Sequence, residues 1–531
     1  MKNYEPDSRW AYIHTFILNK VRQNFQSESK QIDSIDLEKI KSSIKLKKAA
    51  IEILENVRNG HKNAFNDKDF INLVVSENAI EHKKLHVITK RDSFDNILDY
   101  DFLHGQCNDE EKVINALNKG LDIINNINDK WASNLKNSLT SVVGVEDNFN
   151  EINSGFTHDI PGFINFNINA SSYVIGEQLV HELTHLMLDD ILFFDKKSRI
   201  FVKDLPPVFS IFVNKPRTAE LVLHGLFSYT SVYIFWHQVY KNYPKLKNTA
   251  KNRMNEVVSY INQASKDLDN ILTKNEWKKV YNIYKKICPL ADLDLWKIES
   301  NKKYSHKTFN NLRSYLNDLE LAELSLAIIG NKVSRISMSL EKLKDFHIIL
   351  NKLPVNYCFS SYLFESETDS NISDFKNVIS EMHNLDTYFK PTLEVHIYFS
   401  KYKSFLKKAF LLDKSDDCAP LFKTPDCCEK FFKENWNEAV ERYQGDLTKT
   451  YYKNKKSIDV NPIYNPVSMY FGKGLCWHFP CSMKCKKSKK LIDKRISLLK
   501  KYEPNLLNRL IEIEDYKIIY KNQKYDLLRI K

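Results

Sequence analysis

Glycine is scarce: 12 residues in a chain of 531. With lysine, leucine, isoleucine and asparagine plentiful, helices are expected to dominate. No internal repeat and no low-complexity tract is present, which excludes a repeat array. Disorder on a large scale is excluded by an apolar share of 43%, rich in phenylalanine and tyrosine. A long apolar run free of polar groups is also missing. The nearest approach, "AELVLHGLFSYTSVYIFW" (219–236), carries Glu220 and His224 and suits a buried helix better than a membrane span. Glu5 and Asp7 stand where a signal peptide needs its apolar core, so no secretory signal is expected. The cysteines number nine, an odd count that fits reduced thiols in a cytoplasmic protein. The formal charge of +12 is modest for this length, with lysine and arginine interleaved among acids. Such a balance reads as a solvated exterior, and neither a membrane nor a nucleic acid is an expected partner.

Apolar residues recur every three or four positions in 44–60, 111–139 and 311–346, which predicts helices there, the first stopping at Gly60. "GFINFNI" (162–168) follows Pro161 and alternates large apolar residues with asparagine, which predicts a strand. Pro354 and the polar cluster of 353–371 read as a break. The expected fold is therefore mainly α with a small β element beside one functional helix (α+β). Two domains are expected, 1–345 and 346–531, with the second cysteine-rich and basic and a candidate for peptide recognition.

The chemistry concentrates in "VIGEQLVHELTHLMLDDIL" (174–192). Positions i and i+4 of a helix share a face, so His181 and His185 can present imidazoles to one metal ion, with Glu182 close by as a catalytic acid or base. Leu179, Leu183, Leu186 and Met187 supply apolar flanks, and Asp189 or Asp190 can support a histidine from behind. A catalytic site needs a third ligand, and "KPRTAELVLHGLFSY" (215–229) offers two. With Pro216 in a first helical turn, Arg217, Glu220 and His224 would stack on one helix face. If Glu220 binds, the set matches a zinc metallopeptidase with Glu182 as general base. If His224 binds, three neutral imidazoles suit Fe(II) with a chelating co-substrate. Arg217 fits the far carboxylate of a five-carbon diacid, since guanidinium and carboxylate pair in a fork. Ser228 and Tyr229 are candidate pocket residues, with core packing the plainer reading.

The pieces "PGFINFNI", "GEQLVHELTH" and "KPRTAELVLHGLFSYTSVYIFW" resemble the bacterial HExxH-type 2-oxoglutarate-dependent peptide β-hydroxylases of ribosomal peptide (RiPP) pathways. The last piece is similar to that family's proline–arginine–proline, leucine and histidine–glycine pattern, which runs into an aromatic-rich helix. The resemblance covers 161–236 and, more loosely, 1–345. It implies a dioxygenase in which His181, His185 and His224 bind iron and Arg217 contacts 2-oxoglutarate. It further implies O2 as co-substrate and hydroxylation of a side-chain β-carbon in a precursor peptide. Thr218 departs from the pattern, which has proline there, and Glu220 is not required by it.

Six of the nine cysteines lie between 418 and 485, in "CAPLFKTPDCC" and "CWHFPCSMKC". They could jointly hold zinc or an iron–sulfur cluster, with Cys476, Cys481 and Cys485 as the second-site ligands and His478 as an extra donor. Intervening spacings of four and three do not match a zinc ribbon or finger. The alternative is a set of reduced thiols beside a helix capped by Ser482. That helix carries Lys486, Lys487, Lys489, Lys490, Lys494 and Arg495, read as a solvated face or as a grip for an acidic leader peptide. A third reading of the whole chain is a non-catalytic peptide- or nucleic-acid-binding protein.

Overall fold

The computed structural model describes residues 49–50, 85–88, 105–139, 141–148, 154–156, 162–288, 296, 311–330, 332–368, 376–386, 390–413, 422–443, 446–452, 458–521 and 524–530. The protein is mainly helical with small sheets, as the composition predicts. Ala49 and Ala50 are helical, while the rest of the 44–60 expectation, Gly60 included, lies outside the described residues. Among the described residues no helix is long and apolar enough to cross a membrane.

The chain divides into two compact units. The first takes in Met1–Ile200, His224–Ile261 and Lys278–Leu295; the second takes in Phe201–Leu223, Asn262–Trp277 and Trp296–Lys531.

In the first unit a four-stranded sheet has the order β1 (His86–Val87), β2 (Ser141–Val145), β4 (Phe163–Asn167), β3 (Ser154–Phe156). The first three run parallel, and β3 pairs antiparallel with β4 on the outer edge. β4 is the predicted strand, and all five of its residues are buried. The long helix expected over 111–139 is two helices, α1 (Glu110–Ile127) and α2 (Asp129–Ser138). Asn128 divides them. Its extended backbone ends α1, and its side chain accepts from the Trp131 N–H to cap α2.

α3 (Ser172–Phe194) follows β4 and carries the histidine motif. It is buried on nearly every side, so its sequence shows little one-sided patterning. At its start Gln178 accepts from the Asn167 N–H at 2.8 Å, tying the helix to the strand end. A Cβ on Gly120 would lie 2.6 Å from Ile175, so glycine is what lets α1 approach α3 this closely.

A short helix α4 (Lys196–Lys203) and a ribbon of β5 (Val208–Ser210) with β6 (Lys215–Arg217) lead to α5 (Ala219–Asn242). Long helices α6 (Lys247–Asp269) and α7 (Lys274–Ile287) follow.

The predicted helix over 311–346 is a helix, a strand and a second helix. α8 (Asp318–Ile329) starts in an Asn317–Glu320 capping box and stops at Gly330. β7 (Ser334–Ser339) alternates buried and exposed residues, and α9 (Leu340–Leu350) follows. The expected break at 353–371 instead holds β8 (Asn356–Phe359) and β9 (Tyr362–Thr368). With β10 (Lys376–Asn384) and β11 (Glu394–Ser400) they form a sheet ordered β10-β9-β11-β7, with β8 also on β11. α10 (Lys403–Asp413), α11 (Asp426–Tyr443) and α12 (Lys449–Tyr452) lead to α13 (Lys486–Tyr502) and α14 (Pro504–Ile511). A final hairpin, β12 (Tyr516–Lys521) with β13 (Lys524–Arg529), ends the described chain.

The boundary expected near 345 falls inside α9. One continuous apolar core joins Leu312, Leu324 and Ile336 to Ile397, Leu499 and Leu510, so residues on both sides of that position pack together.

Candidate metal centre

α3 and α5 bring three imidazoles together. Nε2 of His185 lies 3.0 Å from Nε2 of His181, and its Nδ1 lies 2.9 Å from Nδ1 of His224. The first spacing is the one-turn stacking of i and i+4. The third ring, His224, belongs to another helix and is buried, while His181 and His185 are half-buried.

His224 Nε2 lies 3.5 Å from Asp189 Oδ1, an electrostatic contact rather than a hydrogen bond. In each ring–ring contact one nitrogen donates and the other accepts, and metal ligation would replace these contacts. Burial, reinforced by the Arg253 charge, pushes His181 down to about 4.

The donor chemistry suits a borderline metal ion, but the rings are not arranged around one point: His185 turns Nε2 to His181 and Nδ1 to His224, and a single ion would take only one of them. Among the described residues, the three rings are not a set whose donor atoms all lie within 4.8 Å of one another. Asp189 stands behind His224, with its carboxylate 3.5 Å from Nε2.

Glu182 is 2% exposed and accepts a 2.6 Å hydrogen bond from Ser154 Oγ on β3. Burial raises its carboxyl to about 8, the Ser154 bond offsetting only part of the effect. From the same strand, Phe156 stacks on His185 with ring centres 5.0 Å apart and planes at 4°, and it covers His224 at 6.0 Å. Tyr229 meets His181 edge-on at 5.2 Å, while Ser228 is buried and donates to the Gly225 carbonyl. Tyr229 therefore borders the rings, and Ser228 is core.

A buried ion pair underlies the motif. Glu177, one turn before His181, accepts from Arg253 Nε at 2.9 Å and from Trp236 Nε1 at 2.6 Å. Sequence reasoning missed Ser154, Phe156 and this Glu177–Arg253–Trp236 group. Only Glu177 left a trace, as an acid on a helix otherwise apolar at its start.

Arg217 is not where the spacing put it. It lies on β6, ahead of the helix, so Arg217, Glu220 and His224 do not stack on one helical face. Its Nε is 3.5 Å from Asp386 Oδ1, an oxygen that also accepts from the Thr218 N–H. Pro216, expected in a first helical turn, sits in the same strand. Glu220 is half-buried in the first turn of α5, and the ring contacts are made by His224 one turn further on.

The cysteine expectation needs correction. The sulfurs that cluster are those of Cys427, Cys428, Cys481 and Cys485. Cys476 lies outside that group, buried and directed at the His478 carbonyl. His478 Nε2 bonds Ser488 Oγ at 2.8 Å. The N-cap of α13 is Cys485, not Ser482. Arg495 does not belong to the solvated basic face, because it is buried, donates to the Leu475 carbonyl and lies over the Trp477 ring.

No protein-family model matches this chain, and no curated protein is significantly similar to it.

Proposed function

We propose that the protein is a 2-oxoglutarate-dependent oxygenase in which His181, His185 and His224 hold Fe(II), hydroxylating a side-chain β-carbon of a ribosomally made peptide. The observation that carries the reading is the 2.9 Å contact between His185 and His224. It favours an imidazole as the third donor, whereas the metallopeptidase alternative needs Glu220. Bound Fe(II) with 2-oxoglutarate and O2 supplies the oxidation, in which a C–H becomes C–OH while 2-oxoglutarate becomes succinate and CO2.

The chain's own residues supply geometry. Neutral imidazoles offer lone pairs, the Asp189 carboxylate lies behind His224, and the Glu177–Arg253 pair fixes the helix turn below His181. Phe156 keeps water from His185 and His224. β3 is an edge strand whose side chains touch the centre, and an extended peptide can add to such an edge through its backbone. That position supports a peptide as substrate. The resemblance gives Arg217 the far carboxylate of 2-oxoglutarate.

The test is anaerobic loading with Fe(II), followed by O2 and 2-oxoglutarate, with succinate measured. His224→Ala should abolish iron binding and succinate release, Glu220→Ala should retain both, and Arg217→Ala should raise the KM for 2-oxoglutarate. Metal retained in His224→Ala but lost in Glu220→Ala would replace this proposal with the zinc peptidase.

A further inference from the structure

We propose that Cys427, Cys428, Cys481 and Cys485 bind one zinc ion through four thiolates, at a site independent of the three imidazoles. The geometry is specific. The Cys427–Cys428, Cys427–Cys485 and Cys428–Cys485 sulfurs are each 3.8 Å apart, and all four lie within 4.8 Å of one another. A tetrahedral ion with metal–sulfur bonds of about 2.3 Å has sulfur–sulfur edges of about 3.8 Å. Three sulfurs thus already form one face of that tetrahedron. An iron–sulfur cluster places its own core of irons and sulfides between the thiolates and needs a wider cage.

The surroundings suit the charge. Zinc with four thiolates carries a net double negative charge, which needs donors and positive potential. Cys427 and Cys428 lie in the first turn of α11, and Cys485 caps α13, so two helix N-termini point at the sulfurs. The Cys481 N–H donates to Cys428 Sγ at 3.3 Å. Ser488 Oγ lies 3.2 Å from the same sulfur and 2.8 Å from His478 Nε2. With its single proton given to the thiolate, Ser488 accepts from His478 Nε2–H, and His478 supports the site from behind. The exposed lysines 486, 487, 489 and 490 add positive charge around it. The ion would fasten the start of α11 to the start of α13, segments whose ligands are 58 residues apart in the chain.

The experiment uses the full-length chain with His181→Ala, His185→Ala and His224→Ala, so that imidazole-bound metal is removed. One zinc per chain is expected, with an absorption-edge spectrum fitted by four sulfurs. A thiol-binding mercurial should release all of it, and Cys427→Ser with Cys485→Ser should lose it. Should the histidine variant not fold, cobalt(II) in the wild-type chain reports the same ligands, because only sulfur donors give intense thiolate charge-transfer bands. Absence of those bands, a nitrogen- or oxygen-dominated shell, iron in place of zinc, or metal surviving the double cysteine variant would overturn the proposal.

Discussion

Removing the Arg253 side chain should loosen the histidine helix far more than the loss of an ordinary surface pair would. Glu177 has a side chain 3% exposed and Arg253 13%, so Arg253→Ala leaves a carboxylate in the interior with only the Trp236 N–H facing it. Breaking such a buried pair by deleting one partner costs about 3–5 kcal/mol, against about 0.2–1 kcal/mol for exposed pairs. Glu256 also touches Arg253, at 2.7 Å, but it is half-exposed and changes the balance little. The cost should be read locally, as hydrogen exchange of the α3 amides, because a chain of two compact units need not unfold in one step. At about 1.4 kcal/mol per tenfold, protection should fall between about a hundred-fold and several thousand-fold. Glu177→Gln combined with Arg253→Met removes both charges and should recover most of the loss. If Arg253→Ala changes protection by less than about fivefold, Glu177 is accommodated without its partner. The pair would then not be what fixes the turn below His181.

Further expectations follow from single contacts. Gly120→Ala gains about 1 kcal/mol of helix propensity but drives a methyl to 2.6 Å from Ile175 and 2.8 Å from Leu179. Overpacking costs about 1–3 kcal/mol, so a lower melting temperature is expected, and a rise would show that α1 can back away freely. Burial pushes the Asp195 carboxyl up, but bonds from Lys286 and Ser198 outweigh it and hold the group at about 2. Because the folded value is depressed, its stabilisation is complete above the ordinary 3.8 and is lost as pH falls through about 2. Lys286→Ala should begin acid unfolding at higher pH, and superimposed acid titrations would remove the pair from the account. Phe156→Ala takes away a stacked contact worth about 0.5–1.5 kcal/mol. Zinc loaded as a probe should then pass from the imidazoles to a chelator about two- to tenfold faster, whereas an unchanged rate would mean that Phe156 does not cover the site.

What could be read in the sequence was local. His181 and His185 are one turn apart by spacing alone, and β4 showed in its alternation. His224 was legible as a polar residue on an apolar helix. Arg217 was misplaced because Pro216 fixes a backbone angle that suits a first helical turn and an extended strand alike. What decides between them is pairing with Val208–Ser210 and the grip of Asp386, 168 residues beyond Thr218. The 311–346 error had a visible remedy, since Gly330 and the alternating "SRISMS" interrupt two leucine-rich helices of similar period. Ser154 and Phe156 could not be found in this way. A three-residue edge strand has too little pattern, and its importance comes from lying against α3. The two cysteine segments were legible as a joint candidate metal site, but which thiols group together was not. An adjacent pair has no recognised ligand spacing, and its sulfurs meet those of Cys481 and Cys485 only in the folded chain.

The two sets of donors differ in a way that bears on how the protein must be handled. In the proposed sites, three of the four thiolates stand at helix starts, with Cys481 in the segment ahead of α13, and together they would complete a soft tetrahedral shell suited to zinc. The imidazoles come from the middles of two helices and, in the proposed iron site, would leave positions for a co-substrate. For the same nitrogen donors zinc binds more tightly than Fe(II). Zinc supplied during purification should therefore fill both sites and leave a folded protein without oxygenase activity. Iron must be added in the absence of oxygen, after the imidazoles alone have been stripped. The order of stripping is set by shell completeness, because three nitrogens yield an ion to a chelator before four enclosing sulfurs do. A mild chelator that removes one zinc and leaves one would separate the two sites in a single titration, and simultaneous loss of both ions would contradict that difference between the shells.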